Sequence, residues 1–386
     1  MNASRFIAGK LRFKGKIAMV SIAISFLVMI LAVSISAGYR KEIREGVSSF
    51  SGDIVLGPAG QSYLNSDQPV SANPSYMQQL LDVEGVKSIA PVIYRAGIIK
   101  QGTEIHGVVF KGVEMEGESL DARIPSGLAK MMSISEGDAM LTYFVGDNIK
   151  ARRFNVVSIY DNPLDIEEAL IVYVPIEDMR RLNEWDETQV SALEVTLGSA
   201  YKSTIMMEEK SAELGNIAIL YAQEDEPQMM STSIVRQFPQ LFDWLDLIDF
   251  NVLFILLLMA VVAGFNMISG LLIMLFRNIS TIGTLKALGM TDKGIAKVFL
   301  QVSSNLVLKG MLIGNALALL FCLIQGRTHF FKLNPENYFV SFVPVAVNVP
   351  MILLADLAAY IIIMLLLLLP SLFISKVDPA QTMRTQ

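Results

Sequence analysis

DFNVLFILLLMAVVAGFNMISGLLIMLFRNISTIGTLKALGMTDKGIAKVF, residues 249–299, joins two signals in one run. Its first part, residues 250–276, carries no charge and exceeds the roughly 20 residues that a helix needs to cross a bilayer, so it reads as a membrane span. Arg277 ends that span. The polar segment after it sets Lys286, Lys293 and Lys297 against the single acid Asp292 before a further apolar run begins. A short basic loop between two spans belongs in the cytoplasm by the positive-inside tendency. Within the loop, Ile279, Ile282, Leu285, Ala287, Leu288 and Met290 recur mostly at three- and four-residue intervals. Gly289 supplies a stop, and Thr291 with Asp292 a fresh helix start. A short amphipathic helix of this kind suits either lipid headgroups or a groove on a partner protein, and pattern alone leaves both open.

Charge along the chain fixes the expected topology. Of the 386 residues, 53% are hydrophobic, yet residues 40–249 hold 33 of the 37 acids and only 17 of the 31 bases. The net charge of −6 therefore hides an acidic middle between basic flanks, and no nucleic-acid partner is indicated. Residues 1–16 place Arg5, Lys10, Arg12, Lys14 and Lys16 among Phe6, Ile7, Leu11 and Phe13, the pattern of an amphipathic helix on the inner membrane face. The apolar run that follows, about 21 residues, is longer than a signal-peptide core, and Ser34, Ser36 and Ala37 are the one hint of a cleavage site; a retained first span with its stalk is expected over 17–48. Stalk plus second span are expected over 239–276, a basic helix and loop over 277–297, a third span over 298–325, an outer loop over 326–350, a fourth span over 351–370 and a tail over 371–386. Four crossings put both termini in the cytoplasm and export the acidic middle, residues 49–238.

That middle alternates like strands in VKSIAPVIYRAGIIKQGTEIHGVVFKGVE and again in GDAMLTYFVGDNIKARRFNVVSIYDN, with Gly146 and Asn148 at the turn. IVYVPIEDMRRLN reads as strand then helix, VSALEVTL as a strand and AYKSTIMMEEKSAEL as a helix. The fold class predicted is thus a polytopic α-helical membrane protein with four transmembrane helices and a large α+β domain inserted between the first two. The lone Cys322 lies in a span, so no disulfide staples the exported domain.

Signs of catalysis are missing from the sequence. No Gly-x-x-x-x-Gly-Lys-Ser/Thr loop occurs, so ATP has no Walker-type site in this chain. His106 and His329 are the only histidines, too few for a histidine-based zinc site and badly placed for a Ser-His-Asp triad; no metal and no catalytic residue is expected. His106 reads as a water-facing strand residue. Asp356 and Lys309 are the charges inside spans, and snorkelling to opposite surfaces is the simpler account of both than a part in transport. Asn266 and Ser269 are placed to hydrogen-bond across helices, and Gly264 and Gly270 to allow close helix approach.

The segment FNMISGLLIMLFRNISTIGTLKALGMTDKGIAKVF resembles the second span and coupling helix of the FtsX-like and MacB-like (type VII) ABC permeases, most of all the lipoprotein-releasing (Lol) branch. Asn266, Ser269, Arg277, Ile282, Leu285, Lys286 and Gly289 carry the match; residues 278–281 depart from the more charged start usual there. The order of strand motifs in the exported domain, Tyr338, Pro344 and Val345 in the outer loop, and Asp378, Pro379, Ala380 and Arg384 in the tail resemble the same permeases. The resemblance implies an inner-membrane permease with a periplasmic domain, working as a dimer with an identical or paralogous chain. Two copies of a cytoplasmic ABC ATPase would hold the ATP and Mg, with no cofactor on this chain. Thr281, Ile282, Leu285, Lys286, Leu288, Gly289 and Met290 would dock on the ATPase. Ile24, Val28 and Leu31 with Phe254, Leu258 and Val261 would line a cavity for a lipid-anchored lipoprotein, extracted from the membrane and passed to a periplasmic carrier. The carrier-binding loop of that branch has no clear match at residues 145–153. Two rivals share the coupling helix: a MacB-like efflux or export permease, and an FtsX-like relay that controls a cell-wall hydrolase.

Overall fold

The computed structural model describes residues 16–59, 68–102, 104–146, 148–161, 170–224, 226–334 and 338–371. The amphipathic helix expected over 1–16, apart from Lys16, and the tail motif at Asp378, Pro379, Ala380 and Arg384 lie outside the described residues. The chain divides into a helical unit, residues 1–41, 244–332 and 342–386, and a sheet unit, residues 42–243 and 333–341.

Among the described residues, four helices are long and apolar enough to cross a membrane: Lys16–Ser51, Pro239–Arg277, Asp292–Thr328 and Val349–Pro370. The third starts at Asp292, capped by the Thr291 hydroxyl, which accepts from the Gly294 amide at 3.2 Å. Lys293 and Lys297 therefore lie in its first turns rather than in an irregular loop. In the core of the helical unit, Ala18, Ile22, Phe26 and Met29 of the first helix meet Ala263, Met267 and Leu271 of the second, Val298, Phe299 and Val302 of the third and Ala359 and Ile363 of the fourth. Backbones approach closely where side chains are missing. A Cβ on Gly314 would lie 2.4 Å from the Ala23 carbonyl oxygen, and one on Gly310 2.6 Å from Ile22 Cγ2. Small residues at such spacing let helices pack where burial against lipid supplies no drive.

Asp356 corrects the snorkelling account. It is only 6% exposed and accepts from Asn315 Nδ2 of the third helix at 2.5 Å. An aspartate side chain at a helix interface is too short to reach a surface, and Asp356 pairs one carboxylate oxygen with the nearest amide. Lys309 is exposed.

The sheet unit is built on eleven described strands: β1 (Ile54–Pro58), β2 (Val70–Ser71), β3 (Val86–Gln101), β4 (Glu104–Val113), β5 (Asp121–Pro125), β6 (Ala139–Phe144), β7 (Lys150–Tyr160), β8 (Ile171–Pro175), β9 (Gln189–Val190), β10 (Ala192–Leu197) and β11 (Met229–Ser233). The main sheet runs β11-β1-β10-β3-β4-β8-β5-β7-β6, and β6 returns to pair with β3. Strands β3-β4-β8-β5-β7-β6 thus close on themselves, while β3 extends into an open sheet with β10, β1 and β11. One long strand serves both because its first half pairs with β10, from Val86 to Val92, and its second with β4, from Ile93 to Gln101. Phe110, Phe144 and Phe154 fill the closed part, with ring centroids 4.9–6.2 Å apart. Gly97 makes room for them, since a Cβ there would sit 2.9 Å from the Phe110 ring.

Candidate functional site

The helix Ile279–Ala287 leaves the second long helix at Asn278, whose side-chain amide donates to the Met274 carbonyl at 2.8 Å. Its end is set by Gly289, held at φ +86°, where a glycine carries no steric penalty. The Gly289 amide bonds back to Lys286 O and the Met290 amide to Leu285 O, both at 2.9 Å, the paired bonds of a Schellman cap. Lys286 Nζ then reaches Asp292 Oδ1 at 2.9 Å, tying the cationic end of this helix to the acidic first turn of the next. With Asp292 about half exposed, that pair adds little energy and mainly fixes direction.

Burial divides the seven residues expected to dock. Ile282 is 1% exposed and sits in the core with Ile295, Val298 and Phe299, while Leu285 and Met290 pack against the same core. The apolar stripe expected to meet a partner is thus turned inward at Ile282 and Leu285, because the chain's own core is the nearest surface to bury it. Lys286 is engaged by Asp292. What faces outward is a stripe of small side chains, Ser280, Thr281, Thr284 and Ala287, ending in Leu288, which is 79% exposed.

In the second helix, Asn266 Nδ2 donates to Ser21 Oγ of the first helix at 2.5 Å. A Cβ on Gly264 would strike Leu366 of the fourth helix at 2.3 Å, and one on Gly270 would touch Ala18 Cβ at 3.3 Å. Ser269, expected to bond across helices, donates instead to Phe265 O of its own helix at 3.2 Å, the back-bond open to any helical serine. Among the six cavity candidates, Ile24, Phe254 and Leu258 are exposed on the single chain, and Val28, Leu31 and Val261 are half-buried. Leu31 packs with Ile30, Val33 and Val252. Arg40 of the first helix bonds to Asp246 at 2.8 Å and also to Asp249 of the second, and Tyr39 meets Trp244 edge-on at 5.6 Å.

The sheet unit holds the far ends of these helices with buried charge, which no sequence pattern had singled out. Asp53, fully buried just past Ser51, accepts from Ser48 Oγ at 2.6 Å, from the Leu197 amide at 2.7 Å and from Lys202 Nζ at 3.0 Å. Its carbonyl accepts from the Ile234 amide at 3.1 Å. Lys111 Nζ donates to the Phe50 carbonyl at 2.8 Å, in the last turn of the first helix, and pairs with Glu194 at 2.7 Å. Tyr94 donates to the same carboxylate. Burial pulls the Lys111 ammonium below its ordinary range, and Glu194 opposes that shift. Phe50 and Phe238 meet edge-on at 5.7 Å. A lysine on terminal carbonyls and an aspartate on free amides are the groups that helix and strand ends require.

Among the described residues, four helices long and apolar enough to cross a membrane and a mixed-strand unit are the organisation of a multi-pass membrane protein. The MacB-like periplasmic core domain matches residues 17–230, more than half of the chain, and the FtsX-like permease C-terminal domain matches residues 253–379. The chain belongs to the MacB-like and FtsX-like family of ABC permeases. It is 22% identical over 414 residues to the lipoprotein-releasing system transmembrane protein LolE of Haemophilus influenzae, covering 95% of this chain and 93% of that one. Against the lipoprotein-releasing system transmembrane protein LolC of Neisseria meningitidis serogroup B it is 22% identical over 421 residues, 98% and 97% of the two chains. Among solved structures, the periplasmic region of MacB from Actinobacillus actinomycetemcomitans aligns at 10% identity and TM-score 0.30, over 50% of this chain and 95% of that one. The extracellular domain of the ABC-type transporter YknZ from Gram-positive bacteria aligns at 13% identity and TM-score 0.28, over 47% and 98%.

Proposed function

We propose that this chain is the membrane subunit of a transporter in which a separate cytoplasmic ATPase dimer, carrying ATP and Mg, drives release of lipoproteins from the inner membrane. Both termini and the helix Ile279–Ala287 lie in the cytoplasm, and the sheet unit lies in the periplasm. Two such chains, identical or paralogous, flank the substrate, with the outward apolar side chains Ile24, Phe254 and Leu258 toward its acyl chains. A periplasmic carrier receives the product.

The observation that carries this reading is the one-sided anchoring of Ile279–Ala287. Ile282 is committed to the chain's own core while the stripe from Ser280 to Leu288 is left open. A stripe of small residues ending in one exposed leucine suits a protein groove that receives a helix. A stroke applied there enters the second long helix at Asn278 and the third at Thr291. The buried bonds at Asp53 and Lys111 make the sheet-unit end of the first long helix fit to pass movement on. Collinear likeness to lipoprotein-releasing proteins over nearly the whole chain supports the substrate class.

Reconstitution of the chain with its ATPase in proteoliposomes tests the reading. ATP-dependent release of a labelled triacylated lipoprotein to a soluble carrier is expected. Hydrolysis stimulated only by a drug, or only by a cell-wall hydrolase, would replace it with the export or relay function.

A further inference from the structure

Within the sheet unit lies a cavity of about 410 Å³, in the size range of small-molecule sites. Phe50, Tyr94, Phe238 and Phe339 give it aromatic walls, and none of its lining side chains is charged. Phe339 holds φ +60°, a left-handed conformation uncommon for a bulky residue. Among the described residues, two polar atoms in the lining, Ser51 Oγ and Gln237 Oε1, are buried with no hydrogen-bond partner, and Ser51 is only 2% exposed. Leaving such groups unpaired costs about 1–3 kcal/mol each, so a matching occupant gains by pairing them.

We infer that this cavity binds an amide-linked acyl chain, that of the lipoprotein substrate, with the chain on the aromatic walls and the amide between Ser51 and Gln237. The absence of charged walls turns away phosphate and carboxylate headgroups, whose burial would go uncompensated. Gln237 Oε1 accepts only, so the ligand must bring an N–H or O–H, and Ser51 donates its hydroxyl proton to a carbonyl. An amide supplies both groups at adjacent atoms. An ester of the same chain supplies only the carbonyl, which sets a glycerol-linked acyl chain apart. The substrate assignment rests on the lipoprotein-release reading, whereas the pairing chemistry does not.

The test uses the purified full-length chain and two diazirine-bearing probes of equal chain length, N-palmitoyl alaninamide and the matching palmitoyl ester, with adducts mapped by peptide mass spectrometry. Expected are adducts on peptides containing Phe50, Phe238 or Phe339, with the amide favoured about tenfold, the scale of one lost buried hydrogen bond. Gln237→Leu removes that preference, and Phe339→Trp blocks labelling. Equal labelling by amide and ester, or adducts confined to the helical unit, residues 1–41, 244–332 and 342–386, overturns the inference on the unaltered chain alone. Release assays run in parallel separate the two claims. Lipoprotein release unchanged in both variants overturns the inference and leaves the transport reading standing. The expected labelling without any ATP-dependent release keeps the cavity's amide chemistry and overturns the transport reading.

Discussion

At Asp53 and Lys111 the chain fixes a helix end with buried charge, whereas at Ile279–Ala287 it fixes a whole helix with one buried isoleucine, a glycine cap and a half-exposed ion pair. The first arrangement pairs its buried charges with several donors and acceptors, so movement there breaks several charge-assisted bonds at once. The second satisfies one side only. Its other side, Ser280, Thr281, Thr284, Ala287 and Leu288, is exposed among the described residues. The difference separates a joint built to transmit from a surface built to receive.

The comparison breaks most visibly at the buried pair. Lys111→Met alone, or Glu194→Leu alone, leaves an uncompensated charge and is expected to destabilise the sheet unit by about 3–5 kcal/mol, with the double variant recovering most of the loss. Denaturation of the full chain followed by limited proteolysis reads this, and singles no worse than the double would remove the joint from the account. Next, Ile282→Ala vacates the core under the short helix and should cost about 2–4 kcal/mol. Equal thermal unfolding of this variant and the parent would mean that Ile282 is not the anchor.

Alkaline pH sharpens the contrast, because burial raises the phenols of three tyrosines in the sheet unit. Burial pushes the Tyr76 phenol up to about 12, and Tyr160 and Tyr173 are raised as well. A phenol whose folded pKa is raised stabilises fully below its unfolded value of 10.0, and that contribution fades as pH climbs from there through the folded value. Unfolding of the sheet unit should therefore become easier above pH 10, with the loss following tyrosinate absorbance at the unfolding step. A flat stability profile from pH 9 to about 11.5 would contradict the burial of these rings. The smallest effect belongs to Leu288→Ala. An exposed truncation should change stability by less than about 0.5 kcal/mol, so a larger change in thermal unfolding would mean that Leu288 packs on its own chain.

The long apolar helices were legible because about 20 uncharged residues admit one reading. The limits of the short helix were legible too, since Gly289 and Thr291 are cap residues whose role is local. Its facing was not, because the same stripe that suits a partner groove suits the chain's own core. Gly310 and Gly314 stand four apart in an apolar run, a packing signal that the sequence itself carries. Asp356 misled because its partner Asn315 lies 41 residues away, beyond any periodic pattern. The joint was hidden for the same reason: Lys111 and Glu194 lie 83 residues apart. Strands β3, β4, β6, β7, β8 and β10 followed alternation and turn residues. The return of β6 to β3, which closes the ring, depends on pairing that no local window contains.

Cross-linking from position 288 tests the central claim most directly. Leu288→Cys in the assembled complex should couple to the ATPase through a short maleimide–diazirine cross-linker, whose carbene inserts into any neighbouring C–H, N–H or O–H bond, and should stay shielded from a membrane-impermeant maleimide supplied outside spheroplasts. Labelling from outside, or an intact complex with no cross-link to the ATPase, would contradict the claim that this face receives the motor.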